Sequence, residues 1–366
     1  MTDQIKSVAG HFALQGALLA AKELTSGNIN KTYRLTCEAE GAQRDYVLQR
    51  INTYVFKRPM DVMENILRVT EYLRGVLTAA GEDPARRVLR VIPTLDGQCM
   101  YTDPEGGCWR AYDFIPDAAA YNTVDAATFY QVGRGFGEFQ RLLAGFPAEQ
   151  LHETIPQFHD TRARYRQLEA AMEANSAGRR ASVQQEIGFL LARRERLCSV
   201  AERVDRGELP LRVTHNDTKS NNVMVDAATG APLCVIDLDT VMPGSVLYDY
   251  GDAIRFAGTT APEDEPDVTK IALDMEKTRA FTRGFIQETN GFLTREELRL
   301  LPLGIEIMTG ELAVRFLTDY LAGDPYFKLN YPEHNLVRTR AQIALLQDVE
   351  RKAGQLQAMV DELIGK

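Results

Sequence analysis

The sequence predicts an α+β protein in two lobes: a small β-rich one over residues 1–115 and a larger, mainly helical one over residues 116–366. Three observations carry this. A chain of 366 residues should hold two domains or lobes. Strand signals gather before residue 116, where YVLQRIN reads as a buried strand and residues 88–118 read as two or three strands with DG and EGG turns. Beyond residue 116 helical periodicity takes over, interrupted by one hairpin-like stretch at 213–239.

Taken in order, residues 1–24 read as helical, because HFALQGALLAAKEL places apolar residues at helical spacing. Residues 26–35, SGNINKTYRL, are a glycine- and asparagine-rich turn running into an alternating strand, a shape whose backbone amides can lie over phosphates. In the strand at 46–52, Gln49 and Arg50 point to opposite faces, so only one of them can face a ligand. Residues 59–77 form an amphipathic helix, with Pro59 near its start and Val62, Ile66, Val69 and Leu73 on one face. Trp109, the only tryptophan, reads as core, and the strand at 109–115 runs into Pro116. Residues 124–148 are a helix whose Gly133, Gly135 and Gly137 lie inside a helical pattern; they predict close helix packing and not a phosphate loop. His152 and His159 follow in a loop and read as solvated or capping residues. Residues 160–206 are helical, with mixed charges at i, i+4 spacing on solvated faces. Residues 268–292, 295–322 and 334–364 complete the helical part.

Composition narrows the function. A net charge of −9 argues against a nucleic-acid surface. No stretch approaches the roughly 20 apolar residues of a membrane helix, and MTDQIKSVAG has no basic segment leading into an apolar run. A cytoplasmic protein is expected, with no nucleic-acid or membrane partner. The five cysteines include no C-x-x-C pair, so neither a disulfide framework nor a zinc site is indicated.

The chemistry sits in VTHNDTKSNNVMVDAATGAPLCVIDLD, residues 213–239. It contains His215-x-Asp217-x-x-x-x-Asn222, and fifteen residues later Asp237. Two apolar runs flank DAATG, a turn. Folding the hairpin about that turn brings Asn222 nearly opposite Asp237, making an oxygen-rich site of the kind Mg²⁺ takes. Asp217, one short loop upstream, is placed to accept a proton from a substrate hydroxyl. A base that positions the nucleophile and two metal ligands that hold nucleotide phosphates are the parts of phosphoryl transfer. His215 is expected to hold the loop. Asp249 and Asp252 in LYDYGDAIR are expected to brace it, with direct sugar or metal contact as the other reading, and Asp239 to face the metal through water.

These motifs resemble those of the aminoglycoside phosphotransferase and choline kinase family, the small-molecule branch of the protein-kinase-like fold, in His215, Asp217, Asn222, Ile236 and Asp237. The runs THNDTKSNN, CVIDLDTVMPG and LYDYGDAIR are similar to those of bacterial N-acetylhexosamine 1-kinases. The resemblance implies a two-lobed kinase-like fold, ATP and Mg²⁺ as cofactors, Asp217 as catalytic residue and Asn222 and Asp237 as metal ligands. It makes residues 26–35 the nucleotide loop, with Gly27, Asn28, Asn30 and Thr32 near the phosphates. It makes Arg50 the strand cation, with Gln49 as the competing alignment, and Glu64 the candidate partner of Arg50. Adenine is expected along Tyr112, Asp113, Phe114 and Ile115. In ELAVRFLTDYLAGDPYFK it places Arg315 and Tyr326 by a small-molecule sugar; for Arg315 a structural pairing stays open.

The reaction implied is phosphorylation of the anomeric C1 hydroxyl of GlcNAc or GalNAc. Other acceptors (an aminoglycoside, choline, homoserine or another sugar) keep the fold and change the substrate. A non-catalytic nucleotide-binding protein is favoured only by the missing strand lysine, and the presence of Asp217, Asn222 and Asp237 together argues against it.

Overall fold

The computed structural model describes residues 3–25, 29–289 and 291–365. Helix α1 (Asp3–Ala9) precedes strands β1 (Ala17–Leu24), β2 (Lys31–Ala39) and β3 (Ala42–Arg50) and the long helix α2 (Pro59–Ala79). Strands β4 (Val91–Ile92), β5 (Tyr101–Thr102) and β6 (Cys108–Asp113) complete an antiparallel sheet ordered β1-β2-β3-β6-β4, with β5 also on β6. Then come β7 (Ala118–Ala119) and helices α3 (Ala126–Leu142), α4 (Thr161–Ala174), α5 (Gln184–Leu191) and α6 (Arg194–Asp205). Strands β8 (Arg212–Thr214), β9 (Val223–Asp226), β10 (Pro232–Val235) and β11 (Met242–Gly244) follow. Helices α7 (Val246–Ala257), α8 (Met275–Thr289), α9 (Arg295–Ala322), α10 (His334–Arg351) and α11 (Ala353–Leu363) end the chain. The fold is the α+β one expected, β-rich first and helical after. Among the described residues no helix is long and apolar enough to cross a membrane.

One element differs from expectation. Residues 17–24 are a strand, not a helix. β1 pairs only with β2, from Ala17 opposite Glu38 to Leu24 opposite Thr32, and none of its residues is buried. With no buried face, its apolar spacing reports nothing about period, and pairing overrides the helix propensity of its alanines and leucines.

The sheet's two faces do different work, because neighbours on a strand point opposite ways. Leu35, Tyr46, Leu48, Trp109 and Ala111 bury against Ile5, Val8 and Phe12. On the other side, Tyr112 joins Val62, Ile66, Val69 and Leu73 of α2 and Phe139, Leu143, Val213 and Leu238 in a second apolar cluster. That cluster crosses residue 116 and lays the sheet and α2 over the 213–239 stretch.

In the helical part, glycines set the crossings. A Cβ on Gly133 would lie 2.3 Å from the Phe281 carbonyl oxygen, and one on Gly284 2.2 Å from that of Tyr130, so α3 and α8 touch backbone to backbone. Gly251 of α7 and Gly304 of α9 meet likewise, with a Gly251 Cβ falling 2.1 Å from the Gly304 oxygen. Helix backbones do not shift cheaply in a packed core, so Gly251→Ala is expected to lower unfolding free energy by about 3 kcal/mol, read by chemical denaturation. A change below about 0.5 kcal/mol would contradict this close approach. α9 starts with a capping box in which Thr294 and Glu297 satisfy each other's backbone N–H groups. The Glu297 carboxylate also takes Arg212 of β8 at 2.5 and 2.7 Å, tying α9 to the strand that leads into the loop carrying Asp217.

Candidate active site

β8 ends at Thr214, and the chain then turns sharply, with Asn216 at φ 63°. The turn is held from beneath by α7, whose first turn is capped by Ser245. Asp249 accepts from the backbone N–H groups of His215 (2.8 Å) and Asn216 (2.7 Å) and from Gln140 Nε2 (2.7 Å). Burial pushes its carboxyl above the ordinary value; His215 and these donors pull it back only in part. Asp252, three residues on and so on the same helix face, accepts from Thr218 N–H at 3.1 Å and is paired with Arg255 at 2.8 Å. Both acids of LYDYGD therefore brace the loop.

His215 is fully buried, edge-on to Phe136 and Phe139. Its Nε2 donates to the Ile236 carbonyl at 2.9 Å, and its Nδ1 accepts from the Asp217 N–H at 3.3 Å. Both nitrogens are used inside the protein, which makes it a loop-holding residue.

The loop presents Asp217, half-buried, with Lys219 Nζ at 2.8 Å from Oδ1 and 3.0 Å from Oδ2. Burial lowers the Lys219 pKa, but the carboxylates of Asp217, Asp252 and Asp237 outweigh it and raise it. Asn222 gives its Nδ2 to the Asp217 carbonyl at 2.8 Å, and its own carbonyl accepts from Ile236 N–H at 2.9 Å. This pairing, continued by Val223 opposite Val235, sets Asn222 beside Asp237 as the hairpin geometry requires. Asp237 adopts φ 59°, a left-handed conformation that turns its side chain open to water. Its carboxyl is pushed up to about 6 by the protein crowding the rest of it, then by the charges of Asp239 and Asp217, with Arg110 opposing. The Asn222 Oδ1 accepts no hydrogen bond among the described residues, so an amide oxygen and a carboxylate remain as cation ligands. No cluster of three His, Cys, Asp or Glu forms a metal cage among the described residues. Two ligands are enough for Mg²⁺ when phosphate oxygens and water complete its shell.

Above this floor the structure redistributes the expected nucleotide residues. Gly27 and Asn28 lie outside the described residues. Asn30 donates to Asp239 Oδ2 at 2.7 Å, and Thr32 accepts from Gln49 Nε2 at 3.0 Å. Arg50 is a correction. It lies opposite Trp109 with its guanidinium 5.8 Å from the indole, on the face turned to α1, whereas Gln49 lies opposite Arg110 on the face turned to Asp239. The cation opposite Gln49 on that inner face is Arg110, fully buried and 2.6 Å from Asp239. Glu64 is a second correction. It pairs with His152 at 2.7 Å and with Arg68, because α2 is docked by the next residue, Asn65, which donates to the carbonyls of His152 and Val241 at 2.8 and 2.9 Å. In the run expected to meet adenine, Asp113 points outward to Arg44 and Arg90, Phe114 lies under Arg34, and their N–H groups go to Arg90 and Asp45 carbonyls. Tyr112 is core, and the Phe114 carbonyl and the Ile115 backbone groups take no partner among the described residues.

On the other side of the loop, His159 is neither solvated nor a cap. Its Nδ1 meets Glu311 Oε1 at 2.8 Å and its Nε2 the Asn216 carbonyl at 3.1 Å, joining α9 to the catalytic loop. Burial pushes the Glu311 carboxyl up; His159, Arg164 and Thr161 more than reverse this and hold it below its ordinary value. Next to His159, the Phe158 ring packs 5.3 Å from the Arg315 guanidinium, which also lies 5.5 Å from Phe327. Asp319 accepts from the N–H groups of Tyr326 and Phe327 at 2.9 and 3.0 Å and so holds that segment against α9. Arg315 and the exposed Tyr326 are thus brought together beside the loop, and Arg315 has no carboxylate partner among the described residues.

Sequence reading missed Lys219, Arg110 and Asn65. Lys219 was signalled by its place two residues after Asp217. Arg110, an arginine inside an apolar strand with no neighbouring acid, signalled a partner distant in sequence.

The sequence model of the phosphotransferase enzyme family matches residues 20–285. Among solved structures, a microcompartment-associated aminopropanol kinase superposes with a TM-score of 0.63 at 16% identity, covering 97% of this chain and 98% of that one. Spectinomycin phosphotransferase, in complex with ADP and spectinomycin, gives 0.53 at 16% identity over 95% and 98%. A choline/ethanolamine kinase family protein from Mesorhizobium loti gives 0.53 at 14% over 98% and 99%. At these identities the superpositions show the shared fold.

Proposed function

The chain belongs to the phosphotransferase enzyme family, and on that premise we propose that it is an ATP-dependent kinase of a small hydroxyl-bearing molecule, phosphorylating the anomeric hydroxyl of an N-acetylhexosamine. The observation that carries the reaction type is Asp217, with Lys219 at 2.8 Å and Asn222 and Asp237 presented beside it. Nucleotide use is supported by the family and by the ADP-bound spectinomycin phosphotransferase that shares the fold.

Asp217 orients the acceptor hydroxyl and takes its proton as the oxygen bonds to the γ-phosphorus and the bond from that phosphorus to the β-phosphate oxygen breaks, releasing ADP. Lys219, ion-paired with Asp217 at 2.8 Å, supplies positive charge beside the transferred group. Asn222 Oδ1 and the Asp237 carboxylate would hold Mg²⁺, which when bound neutralises charge on the nucleotide phosphates. His215, Asp249 and Asp252 keep these groups in register by fixing the loop backbone.

The sugar reading rests on the runs THNDTKSNN, CVIDLDTVMPG and LYDYGDAIR and on the acceptor side of the loop. Arg315, unpaired among the described residues between Phe158 and Phe327, favours a neutral acceptor with hydroxyl and carbonyl oxygens over a cation such as choline or an aminoglycoside. Mg²⁺-dependent ATP consumption against GlcNAc, GalNAc, glucose, choline, homoserine and kanamycin tests it. Turnover of the N-acetylhexosamines alone, yielding an acid-labile sugar 1-phosphate, is expected; turnover of choline or kanamycin instead would reject the sugar. Arg315→Ala is expected to raise the acceptor KM by about 30-fold and leave the ATP KM within about twofold, measured by varying each substrate in turn.

A further inference from the structure

β3 and β6 set Gln49 opposite Arg110 on the inner face of the sheet. Arg110 sends Nε and Nη2 to Gln49 Oε1 at 3.0 and 2.9 Å, while Nη1 lies 2.6 Å from Asp239 Oδ1. That contact is close but off the hydrogen-bond axis, so the two atoms meet as an ion pair without a directed bond. The other oxygen, Oδ2, accepts from Asn30 at 2.7 Å. Asn30 in turn accepts from the Asn52 N–H at 2.9 Å, and Gln49 Nε2 binds Thr32. Both Asp239 oxygens are therefore taken by the protein, which corrects the expectation that Asp239 faces a metal through water. Burying a charge pair costs desolvation that apolar side chains would avoid, so a pair placed here calls for a role other than stability.

The geometry points to a clasp: Arg110 and Asn30 grip Asp239 so that the sheet at the start of β2 and the loop carrying Asp237 move as one unit when a metal–nucleotide complex binds. The three are positioning residues for the nucleotide. Asp239 lies two residues beyond Asp237 on the same short loop, while Asn30 and Arg110 lie in the N-terminal sheet segment. A shift of the sheet relative to the hairpin has to pass through these contacts. The clasp rests on the nucleotide reading above, and it adds a prediction the reading lacks: nucleotide affinity depends on side chains whose oxygen and nitrogen atoms bind one another across the sheet and the hairpin.

Asn30→Ala removes one arm and leaves the Arg110–Asp239 pair in place. Arg110→Lys keeps the charge and loses the fork onto Gln49. Calorimetric titration with Mg²⁺ and a non-hydrolysable ATP analogue, thermal midpoints, and separate KM values for ATP and acceptor read the outcome. Asn30→Ala is expected to melt as wild type and to bind the analogue about tenfold more weakly. Its ATP KM should rise by a similar factor while the acceptor KM stays within about twofold. Arg110→Lys should shift affinity in the same direction, and Asn30→Ala should cost little further affinity in an Asp239→Asn background, because both break the same contact. Analogue binding by Asn30→Ala equal to wild type, or equal rises in both KM values, would overturn the clasp and leave the nucleotide reading standing. Wild-type protein that binds no nucleotide would overturn that reading itself.

Discussion

Asp217→Asn is expected to lower kcat about 10³-fold while leaving the fold and both KM values nearly unchanged. The side chain is only half-buried, and its side-chain partner among the described residues is Lys219, at 2.8 Å. The backbone of the loop is fixed by other groups: the Asp217 N–H goes to His215, its carbonyl accepts from Asn222, and the neighbouring amides go to Asp249 and Asp252. Asparagine keeps shape and removes only the charge and the proton-accepting capacity, so the loss belongs to the transition state. Steady-state kinetics with varied ATP and varied acceptor, with analogue binding and thermal midpoint alongside, check it. A fall of less than tenfold in kcat would remove Asp217 from the base role, and a fall accompanied by lost nucleotide binding would make it a ligand-holding group instead.

Asp249→Ala is expected to be the most damaging change that touches no substrate. It strands three donors, the N–H groups of His215 and Asn216 and the Gln140 amide, in a region closed to water. Each buried orphan costs roughly 1–3 kcal/mol, and the costs are not additive, so a loss of about 4 kcal/mol of unfolding free energy is expected. Asn216 is also released from its left-handed conformation, which two of those bonds hold. Denaturant titration gives the stability, and kinetics at a temperature where the variant stays folded give the rest. There kcat should fall with Asp217 still present, because the loop no longer holds it in place. Normal kcat in a folded variant would show that the brace serves stability alone. Asp249→Asn retains one acceptor and places an amide donor against donors, so its loss should be intermediate.

The contrast between Asp217 and Arg110 shows how far the chain could be read before folding. The geometry of the 213–239 stretch was legible because its parts lie close in sequence and answer to local rules. His215, Asp217 and Asn222 share one short loop, a turn returns the strand, and Asp237 lands beside Asn222. The glycines of α3 predicted close packing from their place in a helical pattern, and Gly133 and Gly137 do sit against the backbone of α8. The long helix expected over 295–322 is α9, residue for residue, since its capping box and the left-handed Gly323 at its end are both local signals.

What lay beyond reach depends on which strand meets which. Whether Gln49 or Arg50 faces inward is a matter of strand parity relative to α1 on one side and Asp239 on the other, and no property of YVLQRIN states it. The partner of Arg110 lies 129 residues away, a pairing visible only once β6 is laid over the hairpin. Glu64 is kept from Arg50, which lies on the α1 face of the sheet beside Trp109, and pairs with His152 instead. Residues 17–24 became a strand because β2 offered an edge. By itself, then, the sequence determined most of the elements beyond β1 and which polar side chains gather in the 213–239 stretch, both carried by spacing over a few residues. The tertiary structure alone decided which charges meet across the sheet and the hairpin. Those contacts join segments far apart along the chain, and burial makes each costly unless its partner is there.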